Sequence, residues 1–132
     1  MSSRREIAAA ILSRMRPRSK YRNERTEYNG VWYASKEEAL RAFQLDVMLR
    51  AGTIQRWRRQ PKYHLGVPEN VYVADFLVTG LDGIEWTEDV KGHETSKFKR
   101  DKNLWRAYGP HELKVIRGRR VVETIPGGHS GQ

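Results

Sequence analysis

The residues of this chain that could do chemistry concentrate in two short stretches, Val71-Tyr72-Val73-Ala74-Asp75-Phe76-Leu77-Val78 and Glu85-Trp86-Thr87-Glu88-Asp89-Val90-Lys91. Both are rich in β-branched and aromatic residues and predict strands. Side chains alternate along a strand, so Asp89 and Lys91 emerge on one face while Glu88 points to the other. An acid and an amine therefore share a surface. Asp75 lies in a run so apolar that both faces read as covered, and an isolated carboxylate there is costly unless a cation compensates it. Leu81-Asp82-Gly83 reads as a turn, and a hairpin there would bring Asp75 and Asp89 together near the strand centres. Two carboxylates at close range repel, and a divalent ion between them removes the repulsion. The alternative is a buried ion pair of each acid with Lys91 or an arginine.

A third carboxylate comes from a helix. The 3.6-residue period aligns Glu38 with Ala42, Leu45 and Leu49, which turns it inward among apolar residues. Ser35-x-x-Glu38 is also a capping box, in which the side chain satisfies a backbone amide and nothing more. Both readings stand at this level.

Composition narrows the partner. The chain has 132 residues, the size of one domain, with 25 Lys+Arg against 16 Asp+Glu and a formal charge of +9. That excess suits a phosphate backbone. No run approaches the roughly 18 apolar residues of a spanning helix, and no signal-peptide core opens the chain, so a soluble, cytoplasmic protein is expected. The absence of cysteine excludes disulfides, thiolate zinc sites and cysteine nucleophiles. His64, His93, His111 and His129 lack ligand-like spacing, so any metal is expected to be held by oxygen.

The elements that must position these groups follow from local signals. Ser3 and Glu6 have capping-box spacing, and Ile7, Ala8, Ile11, Leu12 and Met15 recur at helical period before Pro17. Arg18 to Arg25 is a polar, basic linker or arm. Asn29-Gly30 between β-favouring residues marks a hairpin over Thr26 to Ala34. A helix runs from Ser35 to about Arg50 and ends at Gly52. Strands are predicted over Ile54 to Trp57, Lys62 to Leu65, Val71 to Val78 and Ile84 to Lys91, then a helix from Ser96 to Tyr108, a strand from Leu113 to Ile116 and a further one within Arg117 to Ile125. The fold class is α/β: a central mixed sheet of four to five strands flanked by helices, with an N-terminal helix and β-hairpin. The expected division is 1–25 as helix and basic arm, 26–125 as the main domain and 126–132 as a disordered tail.

Asp75, thirteen further residues, then Asp89-Val90-Lys91-Gly92, with Glu38 on a preceding helix, resembles the PD-(D/E)XK nuclease superfamily. Gly30 to Ile116 looks in particular like the small phage-encoded nucleases related to Holliday junction resolvases. The stretches that carry the resemblance are Ser35-Lys36-Glu37-Glu38-Ala39, Gly52-Thr53-Ile54, Gln60-Pro61, Tyr72-Val73-Ala74-Asp75-Phe76 and Glu88-Asp89-Val90-Lys91-Gly92. The superfamily more often has Glu where Asp89 stands. Glu88 is the competing ligand, and the face shared with Lys91 favours Asp89.

The resemblance implies a restriction-endonuclease-like core and Mg²⁺-dependent hydrolysis of DNA phosphodiesters, with Mn²⁺ as a substitute. Asp75, Asp89 and the Val90 carbonyl would hold the metal, Glu38 would bind it directly or through water, and Lys91 would orient the water or stabilise the transition state. It also marks Lys102 as the family's helical lysine, leaning toward a phosphate. Arg56, Arg58, Arg59 and Gln60 on one strand, and Lys99 and Lys102 on the second long helix, form the expected DNA contacts. Lys97 and Arg100 read as a solvated face. Four-way or other branched DNA is the expected substrate, cut by a homodimer whose Ile7, Ile11 and Met15 stripe packs either against the second copy or on the chain's own core. A linear-duplex or transposon-end endonuclease on the same core, and a non-catalytic nucleic-acid-binding protein, are the rival readings.

Overall fold

In a computed structural model, residues 3–13 and 24–128 are described. Met15, Pro17, most of the basic arm and residues 129–132 of the expected tail lie outside them. The chain divides into two compact units, Met1–Ala51 and Gly52–Gln132.

In the first unit, Ser3 Oγ accepts the Glu6 amide at 3.1 Å and opens helix α1, Arg4–Ser13. Strands β1, Thr26–Tyr28, and β2, Val31–Tyr33, pair antiparallel across Asn29 and Gly30. Their φ angles of 53° and 79° are both left-handed, which the tight hairpin turn requires and an Asn-Gly pair supplies at least cost. Helix α2, Lys36–Ala51, starts where Ser35 Oγ accepts the Glu38 amide at 3.1 Å and stops at Gly52, φ 76°. Both α1 and the hairpin pack on α2. Ile11 is buried, the Tyr28 ring meets Phe43 edge to face at 6.0 Å, and the Tyr28 hydroxyl donates to Asp46.

The second unit is built on a mixed five-stranded sheet, ordered β3-β6-β7-β8-β9. Its strands are β3, Ile54–Arg59; β6, Phe76–Gly80; β7, Glu85–Val90; β8, Glu112–Arg117; and β9, Arg120–Ile125. All neighbours are antiparallel except β7 and β8, which helix α3, Ser96–Tyr108, connects. A parallel pair needs such a crossover. Thr95 Oγ1 caps α3 by accepting the Phe98 amide, and Gly109 ends it with its N–H on Trp105 O at 2.7 Å. A Cβ at Gly109 would lie 2.6 Å from the Trp105 ring, so only glycine fits. The core beneath α3 joins Leu65, Tyr72, Phe98, Trp105, Leu113, Val115 and Ile125.

The single strand expected over Val71–Val78 is two. β5, Val71–Val73, pairs with β4, Lys62–His64, in a separate ribbon, and the chain rejoins the main sheet only at Phe76. The cause lies in the facing segment. Gln60 has φ 54° and is followed by Pro61, which lacks an amide proton for the ladder. The bend there is matched by one at Ala74-Asp75: Asp75 O accepts the Gln60 amide at 2.9 Å and Pro61 O accepts the Ala74 amide at 3.1 Å. Asp75 therefore occupies a break between two strands, not a strand centre.

Candidate active site

At that break Asp75 is held by backbone on both sides. Its N–H donates to Glu88 O at 3.2 Å, and its Oδ2 accepts the Val90 amide at 2.7 Å. The carboxylate thus caps the end of β7, one residue past the last ladder pair, Phe76 with Glu88. Half-buried, it sits beside the backbone that carries Asp89 and Lys91.

Alternation along β7 places the other acids as expected. Asp89 is 3% exposed; its Oδ1 lies 3.5 Å from Lys91 Nζ, and its Oδ2 accepts the Tyr72 hydroxyl. Glu88, fully buried, turns to the opposite face, where its Oε2 accepts Trp86 Nε1 at 2.9 Å. Lys91 Nζ stands 4.8 Å over the Phe98 ring, with its own amide on Ile116 O at 2.9 Å. The lysine pairs with Asp89 rather than Asp75.

Tyr72 was not singled out by sequence, although a tyrosine in an apolar strand must find a partner for its hydroxyl when buried. Burial above all, then the charge and hydrogen bond of Asp89, then the charges of Asp75 and Asp101, drive its phenol far above the ordinary value. It stays protonated and serves only as a donor to Asp89. Asp101, whose charge contributes least of these, is itself paired to Lys97 at 2.9 Å.

Asp75, Asp89 and Lys91 are thus brought together in the second unit. Glu38 stands on the first turn of α2 in the other unit, its amide capped by Ser35. Among the described residues, no group of three His, Cys, Asp or Glu side chains forms a metal-ligating cluster. The donors at Asp75, Asp89 and the Val90 carbonyl are all oxygens, the set a hard cation such as Mg²⁺ takes.

The expected nucleic-acid contacts lie on two elements, the β3 edge with the bend that follows it and α3. Arg56 and Arg58 are exposed on β3, an edge strand, while Arg59 is half-buried and Gln60 is exposed at the bend. Lys99 is exposed on α3. Lys102 differs from its expectation: buried to 8% exposure, its ammonium lies between Glu94 and Glu123, the latter at 2.9 Å. Those acids are 8 residues before it and 21 after it, distances over which sequence periodicity carries no information. Lys97 and Arg100 make surface pairs, Arg100 with Asn70 Oδ1 at 2.9 Å.

Among the described residues, no helix is long and apolar enough to cross a membrane. No curated protein and no solved structure matches the chain. Residues 18–122 match the model of the family described as "Protein of unknown function (DUF1064)", and the chain belongs to that family.

Proposed function

We propose that the chain is a Mg²⁺-dependent DNA endonuclease acting at Asp75, Asp89 and Lys91, with branched DNA, such as a four-way junction, as its substrate. The observation that carries this reading is the pairing, at 3.5 Å, of the buried Asp89 on β7 with Lys91, the residue just past the strand's end, where the Asp75 carboxylate caps the strand. The PD-(D/E)XK resemblance supplies the reaction, and the formal charge of +9 fits the substrate.

Asp75 and Asp89, with the Val90 carbonyl, would hold the cation. A bound Mg²⁺ would polarise the phosphate and lower the pKa of a water. Tyr72 orients Asp89 by fixing one carboxylate oxygen, and the Phe98 ring supports the Lys91 stem below its ammonium. Lys91 then stabilises the negative charge that builds as the water oxygen bonds to phosphorus and the ester P–O bond breaks. The attacking water gives up its proton to solvent, and the leaving oxygen takes one up.

Incubation with junction, flap, duplex and single-stranded DNA, each with Mg²⁺, Mn²⁺ or EDTA, tests the proposal. Metal-dependent cutting that favours the junction is the expected result. Equal cutting of linear duplex would transfer the reading to a linear-duplex endonuclease. Binding without cleavage of any substrate would leave only a nucleic-acid-binding protein.

Paired incisions need two sites, which a two-fold dimer would supply. Ile11, one residue of the proposed contact stripe, is buried, and α1 packs on α2. Light scattering at micromolar concentration reads the mass directly, and a single-chain mass would remove the dimer from the proposal.

A further inference from the structure

Beside Lys91, the loop before α3, the face of α3 and the β8–β9 hairpin enclose a hollow of about 290 Å³. Three cations reach it: Lys91, Lys102 and Arg117. Arg117 Nε lies 3.4 Å from Lys91 O, so the guanidinium sits at the rim next to the candidate active site. Two acids share the space. Glu123 is partnered by Lys102 and, at 3.6 Å, by Arg106, which ties it to α3. Glu94 comes from Gly92-His93-Glu94, an exposed stretch outside any helix or strand, and it reaches in to Lys102.

We infer that this hollow is a second phosphate subsite, holding a non-scissile phosphodiester of the nucleic-acid strand, and that Glu94 occupies the phosphate's place when no strand is bound. The inference rests on the nuclease reading for which strand is held, but the anion site stands on its own geometry.

The position Glu94 takes already favours negative charge. The hydrogen bond from Lys102 first, then the charges of Lys102, Lys99 and Arg117, hold its carboxyl below the usual range. Lys102 pairs with this exposed carboxylate directly, while Lys99 on α3 and Arg117 on β8 add positive charge. A phosphate presents more acceptor oxygens than a carboxylate and suits the forked donors of Arg117. Glu94 can leave by a loop movement, whereas Glu123 is anchored on β9 by two cations, so the exchange removes one acid and leaves Lys91, Lys102 and Arg117 facing the hollow. Phe98 forms its apolar floor, with Lys102 Nζ 5.5 Å above the ring. A strand whose reacting phosphate lies at Asp75 and Asp89 would pass its neighbour over this rim, because Lys91 belongs to both places.

The test uses the full chain in EDTA, titrated with inorganic phosphate and, separately, with a short single-stranded oligothymidine, following backbone amide shifts of Gly92, Glu94 and Arg117. Glu94→Ala, on an exposed loop, is expected to tighten both ligands, on the order of tenfold for the oligonucleotide. Arg117→Ala, also exposed, is expected to weaken them comparably, as loss of one charge-assisted contact does. Shifts confined to other surfaces, or an affinity indifferent to both variants, would overturn the subsite. Binding of inorganic phosphate alone would overturn its assignment to a strand. Cleavage in Mg²⁺ is scored separately. Cutting with no effect of either variant on affinity removes the subsite and keeps the nuclease; Glu94-sensitive binding with no cutting does the reverse.

Discussion

The Tyr72 hydroxyl donates to the Asp89 carboxylate from a different sheet, joining the β4–β5 ribbon to β7 at the point where Asp89 is most deeply buried. A buried carboxylate loses hydration on folding, and this bond together with Lys91 compensates it. Tyr72→Phe keeps the ring against Trp105, 5.9 Å away between centroids, and removes only the donor. A hydrogen bond to a charged group contributes about 1.5–3 kcal/mol, so urea unfolding should show a loss of that size with an unchanged m-value. A variant as stable as the parent would show that Asp89 is satisfied without Tyr72.

That bond also marks the limit of what could be read in the chain. Elements set by neighbours in sequence were legible: Asn29-Gly30 forms the expected turn, and α3 runs from Ser96 to Tyr108 as its signals predict. The mixed sheet and the shared face of Asp89 and Lys91 follow from turn chemistry and period-two alternation. The strand break at Asp75 was not legible, because it is imposed by Gln60-Pro61 across the ribbon, and nothing between Val71 and Val78 announces it. Likewise the clamp of Glu94 and Glu123 on Lys102 and the donation from Tyr72 to Asp89 arise from long-range packing that a one-dimensional pattern does not encode. Ser35 Oγ accepts the Glu38 amide at 3.1 Å, which is the serine half of the capping box.

Removing the site's charges should separate cutting from binding. Asp75→Asn keeps an oxygen to accept the Val90 amide, so the end of β7 is preserved while one anionic ligand is lost. Under the proposed function, cleavage falls by at least two orders of magnitude, on the scale of losing one major electrostatic contact to the transition state, while DNA affinity is kept or improved because repulsion of phosphate falls. Asp89→Asn behaves alike, and Lys91→Ala is equally slow yet retains metal binding. Single-turnover cleavage beside a fluorescence-anisotropy titration reads both quantities, and near-parental cutting by Asp75→Asn would eliminate the site.

Salt should weaken DNA binding steeply. Arg56, Arg58 and Lys99 are exposed and free to approach phosphates, and each neutralised phosphate contributes roughly 0.9 to the slope of log K against log salt on duplex DNA. Arg56→Ala and Arg58→Ala should each lower that slope by about one if both arginines touch the backbone. Slopes unchanged in both variants would take β3 out of the interface.

His111 should make stability depend on pH. Its Nε2 lies 2.7 Å from Thr87 Oγ1, which also contacts the Tyr63 hydroxyl, and the ring packs 5.7 Å from Trp105. Burial lowers its pKa from the ordinary 6.5, and the charge of Glu85 opposes that only in part. The folded state therefore binds the proton less readily than the unfolded chain, so stability rises with pH wherever the unfolded ring is protonated and the folded one is not. The full contribution is present above 6.5 and is lost as pH falls from there through the lowered folded value. Carboxylates titrate over part of the same range, so the comparison has to be made against His111→Gln, which keeps a polar group near Thr87 without a proton to gain. Urea unfolding at pH 7.5 and pH 5.5 should show a larger drop for the parent than for the variant; equal drops would mean that the imidazole keeps its solution pKa in the folded chain.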